Sequence, residues 1–106
     1  MIARIWRGRA KGANAEAYVR HVTKTVFPTL PAIRGHRGAY LLRRETKEGS
    51  EFLALTLWDS LASIKAFAGE EAERAVVEPA ARAVLADFDD FARHYEVVHA
   101  PAGLDG

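Results

Sequence analysis

The stretch Glu51-Phe52-Leu53-Ala54-Leu55-Thr56-Leu57-Trp58-Asp59-Ser60 decides the fold. Its first eight residues are rich in β-compatible side chains and read as a strand. Alternation puts Leu53, Leu55 and Leu57 on one face and Phe52, Ala54, Thr56 and Trp58 on the other. A half-solvated antiparallel strand would alternate apolar with polar groups, so both faces of this one need cover. Asp59 or Ser60 then caps a short helix carrying Leu61, Ile64 and Phe67, and Gly69 is its C-terminal stop.

Upstream, the polar run Lys47-Glu48-Gly49-Ser50 is a hairpin turn, which makes Gly35–Thr46 the preceding strand. Before it lies an amphipathic helix. Ala15, Tyr18, Val19, Val22, Val26 and Leu30 recur at three- and four-residue spacing, with Glu16, Arg20 and Lys24 opposite. Asn14 is the expected N-cap, and Pro28 and Pro31 stop the helix. Met1–Arg9, with Ile2, Ile5 and Trp6, reads as the first strand, and Ala10–Ala13 as a turn.

Downstream of Gly69 a helical stretch is expected from Glu70 to about Asp87, in two pieces, with Pro79 in the first turn of the second. Phe91–His99 is the last strand, and the residues from Ala100 onward form a short flexible tail. The order is β-α-β-β-α-β, an α+β, ferredoxin-like arrangement with a four-stranded antiparallel sheet. Residues 1–99 make one domain. Right-handed crossovers place both helical connections on one face of the sheet. The other face, apolar and bare, is expected to pack against a second copy of the chain as a homodimer; alternation alone leaves open which face that is.

Composition bounds the function. The 106 residues suffice for one domain, and with 49% of them apolar a core can form. Fifteen basic and fourteen acidic residues nearly cancel and alternate along the chain. The nearest thing to a basic patch is Arg4, Arg7, Arg9 and Lys11, less than the aromatic-interleaved footprint of a nucleic-acid binder. No cysteine is present, which removes disulfides, thiolate catalysis and Cys-ligated metals and fits a reducing cytoplasm. No apolar run approaches membrane-spanning length, so a cytoplasmic protein with neither nucleic-acid nor membrane partners is expected.

Four histidines are the first candidates for chemistry. His94 and His99, five apart on one strand, point to opposite faces roughly 16 Å apart and cannot share a metal. His94 and Glu96 share a face and read as a solvated or dimer-facing pair. His21 follows Tyr18 on the first helix and either packs or lines a cavity between helix and sheet. His36 opens the second strand. Among the aromatics, Trp6, Tyr40, Trp58 and Tyr95 carry polar tips that could orient a flat ligand, although most aromatics of a small domain are core. Asp87, Asp89 and Asp90 read as a solvated turn. No Gly-rich phosphate loop and no nucleophile elbow is present.

The run from Glu51 to Ser60, followed by Ile64 and Ala66-Phe67, resembles the antibiotic biosynthesis monooxygenase family of the dimeric α+β barrel superfamily. Gly35-His36-Arg37-Gly38-Ala39-Tyr40-Leu41-Leu42-Arg43-Arg44 is similar to that family's second strand. The resemblance implies a dimeric barrel. It also admits a cofactor-independent oxygenase for an electron-rich phenol or quinol, whose anion reduces oxygen itself. Other relatives degrade haem, using Asn on the first strand and a Trp and a His on the second helix. Phe67, Val77 and Ile5 or a neighbour fall at those positions, so haem degradation is not implied.

The expected function is therefore a cofactor-independent monooxygenase-like enzyme for a small aromatic phenol or quinol, free of metal, flavin and haem. His94 or His21 would accept the proton, being the only kind of side chain that titrates near neutrality unperturbed. Tyr18, Tyr40 and Trp58 would hold the ring. The alternative is a non-catalytic homodimer that binds a small apolar or aromatic molecule or serves assembly alone. A histidine within hydrogen-bond reach of open volume favours the enzyme; a purely apolar lining favours binding.

Overall fold

The computed structural model describes residues 1–103. Three long strands form the body of the sheet: β1 (Ile2–Ala10), β2 (His36–Thr46) and β3 (Gly49–Trp58). Two short ones, β4 (Asp87–Phe88) and β5 (Arg93–Glu96), complete it. All pairings are antiparallel, in the order β2-β3-β1, with β4 and β5 sharing the far side of β1. This is the ferredoxin-like α+β fold, its fourth strand split in two. The helices are α1 (Ala13–His21), α2 (Leu61–Ala68) and α3 (Pro79–Val84). Among the described residues no helix is long and apolar enough to cross a membrane. The expected tail lies partly outside the described residues, at positions 104–106.

Register assigns the faces. Ile2 pairs with Trp58, Trp6 with Ala54 and Gly8 with Phe52, so the even residues of β1 and β3 share a face, and it is the helical one. Trp58 and Phe52 are fully buried there. Phe52 packs on Tyr18 of α1 at 4.9 Å between ring centres, and Trp58 stacks on Phe67 of α2 at 5.6 Å. Of the two faces that alternation left open, the one with Trp58 and Phe52 is therefore the one covered by α1 and α2. The opposite face carries Ile5, Leu53, Leu55, Tyr40 and Tyr95 at one end. At the other end it carries an ion-pair row across four strands, in which Glu51 joins Arg44 (2.8 Å) and Arg7 (3.1 Å), and Asp87 joins Arg7 (3.3 Å) and Arg9. At that apolar end Tyr40 and Tyr95 are about half exposed.

Local chemistry explains the helix ends. Ser60 caps α2: its hydroxyl accepts from the Ser63 amide at 3.3 Å while the Ser63 hydroxyl accepts from the Ser60 amide at 3.2 Å. Gly69 ends α2 at φ 89°, in the region glycine enters without strain. Asn14 does not cap α1. The helix starts two residues earlier than expected, with Gly12 at the N-cap, and the Asn14 and Ala15 amides bond the Lys11 and Gly12 carbonyls at 3.1 Å; a backbone turn does the work expected of the side chain. After His21 the helix widens into a π-helical turn (Val22–Val26) and then tightens into a 3₁₀ turn (Phe27–Ala32). The Thr23 hydroxyl bonds back to the Val19 carbonyl at 2.8 Å, a contact that bends helices. Pro28 and Pro31 bring no amide hydrogen to continue the α ladder.

The residues from Glu70 to Glu78, expected to begin a helix, are not helical. Their backbone is used elsewhere: the Ala75 amide bonds the Asp90 carbonyl at 2.8 Å and the Ala92 amide bonds the Glu73 carbonyl at 2.6 Å. Arg74 and Phe91 form a bridge. The same pairing pulls Asp90–Ala92 off β1: the expected Phe91–His99 strand shortens to β5, and β4 forms separately upstream of it. Only the second helical piece forms, with Pro79 in its first turn as expected.

Candidate active site

Between the sheet and the α1 segment lies a cavity of about 70 Å³. Measured to the centres of water-sized molecules, one water needs about 10–15 Å³, so this space holds about five waters, the bulk of a one- or two-ring arene. Arg4 and Trp6 of β1 and Ala54 and Thr56 of β3 form its floor. Tyr18, His21 and the residues of the π and 3₁₀ turns form its roof. Phe67, Val77 and Glu78 close the side. The widened turn matters here: a continuous α-helix would carry Val26, Phe27 and Leu30 round to different azimuths, and π turns recur at functional sites for this reason.

Two aromatic side chains are fixed by backbone features. Trp6 Nε1 donates to the Asp89 carbonyl at 2.7 Å, just before the chain leaves β1. Its ring lies over Gly8, where an added Cβ would come within 2.9 Å of it. Tyr18 is 2% exposed, and burial raises the pKa of its phenol, keeping it protonated at neutral pH. His21 sits one turn on. Its Nε2 is buried with no hydrogen-bond partner and lies 3.7 Å from the Glu78 carboxylate, beyond hydrogen-bond range.

Arg4 is the charged group of the floor. It is 5% exposed; one guanidinium nitrogen donates to the Arg74 carbonyl at 2.8 Å, and the group lies over the Phe67 ring at 5.5 Å. Its Nε has no partner, and burial lowers its pKa to about 10. By sequence Arg4 is one of four basic residues near the N-terminus. The signal that marks it is alternation: its even neighbours Ile2, Trp6, Gly8 and Ala10 all belong to a buried face.

Of the five side chains expected at the site, Tyr18 and His21 meet on the cavity. Trp58 is on the same side of the sheet but enclosed with Ile64 and Ala72; it does not line the cavity but touches two residues that do, stacking on Phe67 and donating from Nε1 to the Thr56 hydroxyl at 2.8 Å. Tyr40 is on the opposite face, paired with Leu55. A register shift between His36 and Gly38 causes this, because one extra residue turns every later side chain over. His94 faces the helical side opposite Arg4 but borders a separate shallow groove with Leu61, Lys65 and Phe91. Burial and the Arg4 charge lower its pKa. His36, edge-on to Trp58 at 5.0 Å, is also depressed by burial.

Fold and cavity together define a class, and sequence comparison agrees. The chain belongs to the antibiotic biosynthesis monooxygenase family, whose sequence profile matches residues 1–79, and so to the dimeric α+β barrel superfamily. No curated protein matches it. Among solved structures it is similar to a point mutant of MhuD with two manganese protoporphyrin IX bound per active site, at 20% identity and TM-score 0.68, covering 97% of this chain and 100% of that one. It is also similar to a point mutant of SnoaB, a cofactor-independent oxygenase from Streptomyces nogalater, at 17% identity and TM-score 0.66, covering 95% and 96%. A Bacillus cereus protein assigned as an antibiotic biosynthesis monooxygenase gives 16%, 0.65, 97% and 96%. At these identities the likeness is one of fold.

The positions that the resemblance aligns with a haem site do not carry its residues. Phe67 and Val77, at the positions where haem-degrading relatives would carry Trp and His, both face the cavity and offer no iron ligand. Arg4 and Trp6, not Ile5, are the first-strand residues turned to it. Among the described residues no group of three or more His, Asp or Glu is placed to hold a metal ion.

Proposed function

We propose that the protein is a cofactor-independent, monooxygenase-like enzyme for a small electron-rich phenol or quinol, acting as a homodimer joined through the apolar end of the open sheet face. The observation that carries the reading is the His21 imidazole: a buried Nε2 without a hydrogen-bond partner, on a cavity walled mainly by apolar and aromatic side chains, among them Trp6, Tyr18, Phe27, Leu30 and Phe67. A basic nitrogen held against an arene-sized space can accept a hydroxyl proton. The anion so formed is the reductant. Tyr18, kept protonated, is a hydrogen-bond donor beside it, and Trp6 and Phe67 offer flat surfaces to a ring.

The test uses 1,4-naphthohydroquinone and labelled dioxygen. One oxygen atom should enter the ring, giving 2-hydroxy-1,4-naphthoquinone, and the other should leave as water. The substrate's own electrons balance the reaction. His21→Ala should lower this turnover about 10²- to 10⁴-fold, the usual worth of a positioned base, and leave the fold intact. Unlabelled product, or a His21→Ala variant as active as the parent, would refute the assignment. An inert, folded wild type would favour the alternative of a small-molecule-binding homodimer.

A further inference from the structure

The chemistry of the floor residue narrows the ligand. An arginine that is 5% exposed is ordinarily paired with a carboxylate, because a charge removed from water needs a counter-charge. Arg4 has none: among the described residues no acid forms an ion pair with it, and burial alone accounts for its lowered pKa. Among the described residues its contacts are one backbone carbonyl and the face of Phe67, and its buried Nε has no hydrogen-bond partner. The one carboxylate lining the cavity, that of Glu78, is about half exposed and stands beside His21. The cavity is otherwise apolar, which strengthens any charge pairing inside it. Arg4 is also on the helical side of β1, away from the open sheet face, so a second chain packed there would not supply the missing anion.

We infer that Arg4 is the counter-charge for the ligand, and that the cavity takes an aromatic molecule bearing an oxyanion, a carboxylate or an ionised phenol, rather than a neutral arene. The inference rests on the cavity being the ligand site proposed above, and it adds the charge of what enters. A guanidinium suits this role because its planar fork matches a carboxylate and stays charged at every physiological pH.

Isothermal titration with 1-naphthoate and its uncharged isostere 1-naphthamide tests the point without requiring turnover. Wild type should bind naphthoate about 10- to 100-fold more tightly, the range of one charge-assisted pairing. Arg4→Met should abolish that preference while binding the amide as before. It should melt no lower than wild type, since an apolar side chain replaces a buried unpaired charge. Arg4→Lys should keep part of the preference. Equal affinities in wild type, no binding of either compound, or a preference that survives in folded Arg4→Met would each overturn the inference. Turnover of the naphthohydroquinone with no preference for naphthoate would sink the anion site alone. A naphthoate preference with no turnover would sink the enzyme reading alone.

Discussion

If the chain forms the homodimer proposed above, replacing Leu55 with Asp should separate its two copies while leaving each folded. Leu55 is central to the open face, between Ile5 of β1 and Tyr40 of β2, with Leu53 and Leu57 two residues away along its own strand. The helical side of β3 holds Phe52 and Trp58, both fully buried under α1 and α2, so the protomer core does not depend on Leu55. Burying one leucine is worth about 1.5–3 kcal/mol. An isologous contact contains it twice, so its loss amounts to about 3–6 kcal/mol per dimer, or roughly 10²- to 10⁴-fold in Kd. Two carboxylates brought to one apolar surface add a desolvation penalty of the same sign. Size-exclusion chromatography with light scattering at micromolar concentration should show a dimer for wild type and a monomer for Leu55→Asp. Circular dichroism should be unchanged. Leu55→Ala should weaken association by a smaller step. A monomeric wild type, or a Leu55→Asp dimer of undiminished affinity, would refute the reasoning.

Removing the α2 cap by Ser60→Ala should cost about 1 kcal/mol and lower Tm by roughly 4–8 °C in a thermal melt; Ser60→Gly should cost less. Phe52→Ala should destabilise by about 3–5 kcal/mol in urea titration, since it empties a fully enclosed site against Tyr18. Acid should act in two windows. His36 and His94 both have folded pKa values lowered by burial, so the unfolded chain takes up their protons first. Their contribution to stability is present above the ordinary histidine value and is lost as pH falls through the lower folded values. Tm should therefore drop between neutral pH and about pH 5, before the carboxylates titrate. Glu51 and Asp87, held low by Arg7 and Arg9, add a second loss at lower pH. His36→Gln with His94→Gln should flatten the first window, and an unchanged profile would exclude these residues as its source.

The strands and caps with strong local chemistry were legible in the sequence. Glu51–Trp58 announced itself by composition, and Ser60 and Gly69 bounded α2 correctly because capping is decided within four residues. Glu70–Glu78 was illegible for the opposite reason: its conformation is set by pairing with Asp90–Ala92, some fifteen residues on. The site divided in the same way. Tyr18 and His21 share a helix face by spacing, and both reach the cavity. Tyr40 was lost to the irregularity at His36–Gly38, which no alternation rule foresees. Arg4 was visible only as an exception to the apolar pattern of its own strand face.

The two borders of the sheet bear on how the protein behaves when crowded. A bare strand edge is a template on which another chain can add, and long flat apolar edges seed fibres. Here one border is β2, eleven residues long but studded with Arg37, Arg43, Arg44 and Glu45, so a strand approaching it must strip water from several charges. The other border is broken into pieces of two and four residues, with Asp90–Ala92 turned away between them, too short for a stranger to zip along. The detour that obscured the last strand in the sequence thus also denies a foreign chain a continuous rail.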